Sequence, residues 1–265
     1  MNDSIPDFFK NNDYSTKGNA RLFIDKLFLN TRIYFTIKYI QLLLKNRKLA
    51  IQGKYDRKAW VISSFKVFRL IEKCGGKFNI RGINNIRNCK EPVVFVSNHM
   101  SAMESMVFPC LIAPFKQVTF VVKKSLTTHF LFGPVMQSIN PVTVGRLNSR
   151  DDLISVVNQG KETLNNGISI IIFPQGSRCE KFIPEDFNSL GVKLAKSAGV
   201  KVIPIALKTD FWGNGKIVKD FGPLRRKNDI YITIGEPMEV KGNGKKENEE
   251  IIDFISKNLM EWQKN

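Results

Sequence analysis

The sequence predicts an α/β protein with a mainly parallel sheet flanked by helices, preceded by a basic helical segment. After residue 76, short apolar stretches rich in β-branched residues alternate with amphipathic stretches of helical length. This alternation is typical of a sheet covered by helices on both faces. Before residue 76, the apolar residues follow helical spacing instead, and Gly75 and Gly76 separate the two patterns. We therefore predict two parts, residues 1–75 and residues 76–265.

The strands and helices of the second part are predicted from hydrophobic periodicity and turn residues. The predicted strands are 77–81, 93–97, 118–122, 142–144, 168–173, 202–207 and 229–234. The predicted helices are 103–112, 126–137, 150–165, 186–198 and 246–262. Residues 222–244 are rich in turn formers and interrupt the alternation.

The first part combines a polar lead-in with two basic amphipathic stretches. Residues 1–20 are polar, which predicts loose order. Residues 21–48 and 54–73 carry apolar and aromatic side chains beside lysines and arginines. Such helices usually pack on their own core. However, residues 21–90 hold 17 Lys and Arg against 3 Asp and Glu, most of the formal net charge of +17. This asymmetry favours an anionic partner, and the tandem helices favour docking in the plane of an anionic membrane surface.

Other features argue against a metal site, a disulfide framework and a membrane span. The four cysteines are widely spaced, with no C-x-x-C and no histidine at ligand spacing. The first residues are polar and acidic where a secretory signal has a basic region. The apolar run 33–44 contains Lys38 and is shorter than the ~20 residues that a bilayer span requires. We therefore predict a peripheral protein at the cytoplasmic face of the cell membrane.

The stretch 93–104 carries the strongest catalytic signal. A strand of buried type ends at Ser97 and is followed by Asn98 and His99, and Glu104 comes five positions later. In open α/β sheets, ligands bind at the carboxyl ends of the strands. A carboxylate bonded to one imidazole nitrogen fixes the tautomer and leaves the other nitrogen to accept a proton. His99 and Glu104 are therefore the predicted catalytic pair.

Cationic residues follow three other predicted strands. Strand 118–122 leads to Lys123, strand 142–144 leads to Gly145 and Arg146, and strand 168–173 leads to the turn 174–178. A glycine in such a turn lets a ligand approach the backbone. An arginine binds phosphate or carboxylate bidentately. Each feature alone is typical of a solvated loop, but together they predict a base and several cations at one sheet edge.

Four blocks of the sequence, in order, resemble the glycerolipid acyltransferases typified by bacterial 1-acyl-glycerol-3-phosphate acyltransferase. The family's N-H-x4-D is matched by Asn98 and His99 with Glu104 at the acidic position. Its lysine-leucine block is matched by Lys123, Leu126, Gly133 and Arg146. Its F-P-E-G-T-R is matched by residues 173–178, where Gln175 replaces the glutamate, and its V-x-P-V by residues 202–205. The basic N-terminal helices also resemble the membrane-docking pair of that family.

The resemblance implies a mechanism, a set of site residues and a set of partners. His99 acts as general base toward an acceptor hydroxyl, Glu104 orients it, and the hydroxyl attacks an acyl thioester directly. The implied substrate-binding residues are Asn98, Lys123, Arg146, Gln175, Gly176, Ser177 and Arg178. The implied partners are a lysophospholipid acceptor, an acyl-CoA or acyl carrier protein donor, and an anionic membrane surface, with neither metal nor bound cofactor. Lysophosphatidate is the default acceptor, and Gln175 leaves the acceptor's identity open.

Two other classes of protein compete with this interpretation. A lipid hydrolase needs a nucleophile such as the serine of G-x-S-x-G, and that motif does not occur in the sequence; Ser101 and Ser105 lack its glycine turn. A non-catalytic binder of lipid or nucleic acid would explain the charge but not the His99–Glu104 spacing. The sequence has no helix-turn-helix, zinc-finger or RNP signature to support nucleic acid. The other histidine, His129, lies in a predicted helix and is interpreted as a packing or surface residue.

Overall fold

A computed structural model of the protein describes residues 4–18, 20–28, 31–145, 149–216 and 218–264. The strands of this part of the chain are β1 (Tyr14–Ser15), β2 (Phe78–Arg81), β3 (Val93–Ser97), β4 (Val118–Lys123), β5 (Val142–Val144), β6 (Ser169–Ile172), β7 (Lys201–Lys208) and β8 (Ile230–Ile234). The helices are α1 (Phe23–Leu27), α2 (Ile33–Ile51), α3 (Arg57–Lys73), α4 (Ile83–Asn88), α5 (Met103–Ile112), α6 (Lys124–Thr127), α7 (Gly133–Ser138), α8 (Ser149–Asn165), α9 (Leu190–Ala198) and α10 (Lys245–Gln263).

The strands form one mixed sheet in the order β1-β2-β8-β7-β3-β6-β4-β5. Strands β7, β3, β6, β4 and β5 are parallel to one another. Strand β8 is antiparallel to β7 and parallel to β2, and β1 closes that edge in antiparallel pairing. The prediction of a mainly parallel sheet flanked by helices is confirmed. All seven predicted strands are present, with ends shifted by at most one residue.

The sheet lies between two hydrophobic cores, which explains the uninterrupted apolar run of β3. Val93 and Phe95 pack in the core on the side of α3 and α5. Val94 and Val96 pack in the core on the side of α9 and α10. Because side chains alternate across a strand, a strand buried on both faces is apolar at every position. Strand β3 is therefore central, and its carboxyl end points to the candidate site.

The lead-in prediction is wrong for the residues described between 5 and 16. Tyr14 and Ser15 pair with β2, and Phe9 is 2% exposed. Phe9 packs edge-on against Phe68, with ring centroids 5.2 Å apart. Pairing at an exposed sheet edge satisfies backbone groups that would otherwise face water. Polar composition concealed this short strand, and it also concealed α4.

The predicted helix 126–137 is in fact two short helices, α6 and α7. Pro134 lies in the first turn of α7, where a missing N–H costs nothing, whereas in the interior of one long helix its ring would break the ladder. Gly133 allows a close chain reversal, because a Cβ there would lie 2.8 Å from the carbonyl oxygen of Thr127. The predicted helix 186–198 likewise begins only at Leu190, after a 3-10 turn at Pro184–Asp186.

Helix α3 packs on α5, the helix that carries Glu104, and supports it at a proline. Pro109 lies inside α5 and has no N–H to donate. The Ser64 hydroxyl of α3 inserts into the backbone hydrogen bonds of α5 at the next residue. It accepts from the N–H of Cys110 at 2.9 Å and donates to the carbonyl of Met106 at 2.7 Å. Helix α3 is thus a core helix, and the predicted division at Gly75 and Gly76 remains a prediction.

Helix α2 has two apolar faces. Phe35, Tyr39 and Leu43 are buried against the rest of the protein. A second stripe is exposed on the opposite face and consists of Ile33, Ile37, Ile40, Leu44 and Ile51. Within the described ranges, no helix is both long enough and apolar enough to cross a membrane.

Candidate active site

The carboxyl ends of the parallel strands meet at one cavity of about 850 Å³. Its wall includes five of the predicted site residues: His99, Lys123, Gly176, Ser177 and Arg178. His99 follows β3, Lys123 ends β4, and the others belong to the turn after β6. Arg146 lies outside the described residues.

His99 and Glu104 are in direct contact. The Nδ1 atom of His99 lies 3.0 Å from Oε1 of Glu104. The imidazole stacks on the ring of Phe173, with centroids 4.1 Å apart and planes 15° from parallel. The carboxylate and the aromatic ring together fix both the orientation and the tautomer of the imidazole, so that Nε2 is the nitrogen available to accept a proton.

The Glu104 carboxylate is fully buried and surrounded by donors. Besides His99, Oε1 accepts from the backbone N–H of Met100 at 2.5 Å and of Ser101 at 2.7 Å. Oε2 accepts from the hydroxyls of Ser101 at 2.9 Å and Thr209 at 2.8 Å. Burial acts to raise the pKa of Glu104, but the His99 contact and the Ser101 N–H more than offset it, so the pKa lies below its usual value. The carboxylate is therefore ionised at neutral pH and holds the imidazole rigidly.

Two partners of Glu104, Ser101 and Thr209, were not predicted as site residues. Ser101 stands three residues before Glu104, which is the serine-x-x-glutamate spacing of a helix capping box, so a local signal was present. Thr209 follows β7 and is 105 positions away in sequence. Only the pairing of β7 with β3 brings it to the carboxylate, and no local pattern could have revealed it.

Asn98 was expected to bind substrate, but in the structure it joins two strands. Its side-chain N–H donates to the carbonyl of Leu207, and its side-chain oxygen accepts from the N–H of Leu207, both at 2.9 Å. The residue is 1% exposed. Because both atoms of the amide are occupied within the fold, we expect Asn98 to position His99 and not to contact a substrate.

Gln175 likewise supports His99. Its Oε1 atom accepts from the backbone N–H of His99 at 3.0 Å. The carbonyl of His99 accepts from the N–H of Cys179 at 2.9 Å, so Gln175 and Cys179 together hold the backbone N–H and C=O of His99. Gly176, at φ +67°, gives this turn its left-handed residue, and its N–H donates to the carbonyl of Phe173 at 3.0 Å. An amide oxygen performs the accepting role as well as a carboxylate does, so Gln175 in place of glutamate preserves this contact.

Arg178 also has a partner that was not predicted. One guanidinium nitrogen lies 2.6 Å from a carboxylate oxygen of Asp220, on the segment between β7 and β8. Lys219 and Asp220 both line the cavity.

The rest of the cavity wall is largely apolar and is built by helices α2, α3 and α7 with β4. Its apolar residues include Leu42, Leu43, Trp60, Val67, Phe120 and Val135. A wall with one apolar part and one cationic part fits an amphiphile that bears an acyl chain and an anionic group.

Of the residues considered in the sequence analysis, Ser101 is engaged by Glu104 and His129 lies at the surface. The Ser101 hydroxyl donates to Glu104 and is buried, so it is not presented to His99 as a nucleophile. His129 is exposed, and its Nδ1 accepts from the backbone N–H of Leu131 at 3.2 Å. Across the described ranges there is no group of three or more histidine, cysteine or acidic residues that could hold a metal ion.

Comparison with known proteins assigns the chain to a family. The family model described as Acyltransferase matches residues 77–208, the stretch that contains the His99–Glu104 pair and the 173–178 turn. The chain belongs to this acyltransferase family, and the resemblance predicted from its four sequence blocks is confirmed.

Within that family, the chain is similar to proteins named 1-acyl-sn-glycerol-3-phosphate acyltransferase. The Pseudomonas aeruginosa protein is 29% identical over 171 residues, which cover 64% of this chain and 62% of the relative. The chloroplastic Arabidopsis thaliana protein is 30% identical over 142 residues, 54% of this chain and 38% of the relative. The chain thus spans less than two thirds of the length of these relatives.

A solved structure shares the fold over nearly the whole chain. The crystal structure of the 1-acyl-sn-glycerophosphate acyltransferase from Thermotoga maritima aligns with a TM-score of 0.65 and 20% identity, over 91% of this chain and 98% of that one.

Proposed function

We propose that the protein transfers an acyl chain from an acyl thioester to the hydroxyl of a lysophospholipid. The favoured acceptor is 1-acyl-glycerol-3-phosphate, which would give phosphatidic acid, and the donor is acyl-CoA or acyl carrier protein. The similarity to 1-acyl-sn-glycerol-3-phosphate acyltransferases supports the acceptor class. The observation that carries the proposal is the 3.0 Å contact between His99 and a fully buried, fully hydrogen-bonded Glu104.

In this mechanism, His99 Nε2 removes the proton from the acceptor hydroxyl as the oxygen attacks the thioester carbonyl. Glu104 stabilises the imidazolium that forms. Collapse of the tetrahedral intermediate breaks the carbon–sulfur bond, and the imidazolium returns its proton to the thiolate that leaves. The reaction needs no covalent acyl-enzyme, in keeping with the engagement of the Ser101 hydroxyl by Glu104.

The turn after β6 supplies donors for the developing oxyanion. Because the N–H of Gly176 closes the turn onto Phe173, we expect the next amide, that of Ser177, to serve the oxyanion. Arg178, Lys123 and Arg146 are proposed to hold the phosphate groups of acceptor or donor. A phosphate needs several charge-assisted donors, which these side chains supply.

The assay uses the purified full chain with lysophosphatidate and either acyl-CoA or acyl carrier protein. We expect diacyl product and free thiol in equal amounts. His99→Ala should abolish both, whereas His129→Ala, the matched control at the exposed histidine, should keep wild-type activity. Full activity of His99→Ala would show that the catalytic assignment is wrong.

We also propose that the protein docks peripherally on the anionic cytoplasmic face of the membrane through residues 1–75. The exposed stripe of α2 supports this proposal, because Ile33, Ile37, Ile40, Leu44 and Ile51 recur at helical spacing on one face. Lys38, Lys45 and Lys48 of the same helix supply positive charge for anionic headgroups. Deleting the segment would remove the buried Phe35 and Tyr39 from the core, so substitutions on the exposed stripe are the sharper test.

A further inference from the structure

The Arg178–Asp220 ion pair lies in the wall of the proposed substrate cavity. The two side chains are 22% and 23% exposed, so the pair is partly buried but reachable from the cavity. Arg178 is one of the cations proposed to hold the acceptor's phosphate. Asp220 therefore occupies one of the nitrogens that this phosphate would use.

The pair has one contact where a guanidinium and a carboxylate can make two. Nη1 of Arg178 lies 2.6 Å from one oxygen of Asp220. Among the described residues this is the single polar partner of the guanidinium, so the remaining N–H groups are available to a ligand. A phosphate can engage two of these N–H groups in parallel, which makes it the stronger partner.

Asp220 also differs in charge from the rest of the wall. It is the one acidic residue among the described residues that line the cavity. The cations of that lining are Lys123, Arg178, Lys193 and Lys219. A single carboxylate among these cations weakens the positive potential that an entering phosphate experiences, at the position of its strongest ligand.

The segment that carries Asp220 is anchored to the catalytic turn. Thr209 at its start donates to Glu104 at 2.8 Å, and Asn214 donates to the carbonyl of Met100 at 2.8 Å. Trp212 is buried against Tyr39 of α2, with ring centroids 4.9 Å apart. Backbone hydrogen bonds from Gly213 to Pro223 at 3.0 Å and from Gly215 to Lys219 at 3.1 Å join the residues on both sides of Asp220 to this anchored part.

We propose that Asp220 is a specificity-determining residue that competes with the acceptor's anionic group for Arg178. The inference rests on the proposed acyl transfer to a phosphate-bearing acceptor. The incoming phosphate displaces the carboxylate from the guanidinium, and the carboxylate returns when the product leaves. Asp220 therefore weakens acceptor binding and speeds release of the phosphate-bearing product.

A buried hydroxyl is available to the displaced carboxylate. Tyr39 is completely buried, and its hydroxyl has no hydrogen-bond partner among the described residues. The Tyr39 ring packs edge-on against Phe221, the residue after Asp220, with centroids 5.9 Å apart. Burial raises the pKa of the Tyr39 hydroxyl, and the charge of Asp220 adds to that rise, so the phenol stays neutral. A neutral phenol beside this segment is a suitable donor for the carboxylate once Arg178 has turned to the phosphate.

The test compares wild type with Asp220→Asn, which keeps the shape and removes the charge. We expect the KM for lysophosphatidate to fall roughly three- to ten-fold, as removal of a partly screened like charge implies. The inhibition constant of the product, phosphatidate, should fall in parallel, and kcat should not rise. The KM for monoacylglycerol, an acceptor without phosphate, should stay unchanged. Equilibrium binding of lysophosphatidate to the His99→Ala variant, with and without Asp220→Asn, gives the same comparison without turnover.

Glu180→Gln is the matched control, because Glu180 pairs with Arg225 at 2.9 Å and does not line the cavity. It should leave every constant at the wild-type value. In an Arg178→Gln background, Asp220→Asn should lower the KM for lysophosphatidate by a clearly smaller factor than in wild type, because only the like-charge repulsion remains to be relieved. An unchanged or raised KM for lysophosphatidate in active Asp220→Asn would overturn the inference, as would an equal change with monoacylglycerol. If wild type transfers no acyl chain to any acceptor, the proposed function itself fails, and that result is distinct from both.

Discussion

Asn98 and Leu207 exchange two hydrogen bonds of 2.9 Å, one in each direction. In the ladder between β3 and β7, Ser97 is the last residue of β3 to pair, opposite Ile205. The side chain of Asn98 extends that ladder by imitating the backbone of a further residue. The chain is therefore free to leave the sheet at His99 while β3 remains joined to β7, and this fixes the position from which the imidazole projects.

We expect Asn98→Ala to reduce both stability and activity. The substitution leaves the buried N–H and C=O of Leu207 unpaired, which costs about 2 to 5 kcal/mol of unfolding free energy. Displacement of His99 should also lower kcat roughly 10- to 100-fold in the protein that remains folded. Urea unfolding and steady-state kinetics well below Tm measure the two effects.

Asn85→Ala is the control for Asn98, because the Asn85 amide also donates to a strand, to the carbonyl of Ile234 at 2.9 Å. It should lower stability and leave kcat unchanged. If Asn98→Ala keeps wild-type kcat, Asn98 does not position His99.

Much of the fold could be predicted because its strands are buried and bounded by turns. The run of β3 is apolar at every position because both of its faces are covered, and that pattern survives in the sequence as an abrupt end at Asn98 and His99. Strand β1 has no such signal. Tyr14 and Ser15 lie at the edge of the sheet, and they are extended because they pair with β2. Pro134 is a local signal for the break between α6 and α7. The apolar residues on both sides of it follow helical spacing, and this spacing led to the prediction of one continuous helix.

The site was only partly predictable, for a physical reason. His99, Glu104 and the 173–178 turn are local patterns at strand ends. Thr209 and Asp220 reach the site from the segment after β7, and their contacts depend on which strands are neighbours. Such contacts are set by sheet order, which local periodicity does not encode.

We expect Glu104→Gln to lower kcat about 100-fold with little change in KM, since the carboxylate orients His99 and does not contact substrate. The hydroxyls of Ser101 and Thr209 can turn to accept from the N–H group of a glutamine, so the main loss is the negative charge that stabilises the imidazolium. Steady-state kinetics with lysophosphatidate measure the loss. Glu247→Gln, at another buried glutamate that accepts from the N–H of Lys241 at 3.1 Å, should leave kcat unaffected. Equal losses in the two variants would mean that the effect is general destabilisation.

The stability that ionised Glu104 contributes should depend on pH. Its pKa in the folded protein is lowered, so the contribution is fully present above the unfolded-state pKa of about 4.3 and is lost as pH falls through the folded-state pKa. We therefore expect the stability difference between wild type and Glu104→Gln to be constant near pH 7 and to shrink in acid. Urea unfolding of both proteins from pH 7 downward measures it, and a difference that widens on acidification would contradict the assignment.

We expect Gln175→Glu to retain at least a third of the wild-type kcat, and Gln175→Ala to lose at least tenfold; both thresholds are order-of-magnitude expectations from the hydrogen bond to the His99 backbone. A carboxylate oxygen can accept from the N–H of His99 as the amide oxygen does, whereas alanine leaves that N–H without its partner. Kinetics of the two variants decide the matter. If glutamate and alanine are equally damaging, the role of Gln175 depends on its neutral charge and not on its acceptor.

The last prediction concerns membrane docking through the exposed stripe of α2. Ile37→Ser with Leu44→Ser should weaken binding to vesicles that contain anionic lipid by about tenfold or more, because each side chain loses its apolar transfer energy. Both residues are about half exposed, at 46% and 51%, so the free energy of unfolding should hardly change.

Ile154→Ser with Met260→Ser is the matched control, because it removes two apolar side chains of similar exposure from α8 and α10. Co-sedimentation at low and high salt separates the apolar contribution from that of the lysines, which salt screens. If the α2 variant and the control bind alike, the stripe is not the docking face, and the charge of residues 21–90 must act elsewhere.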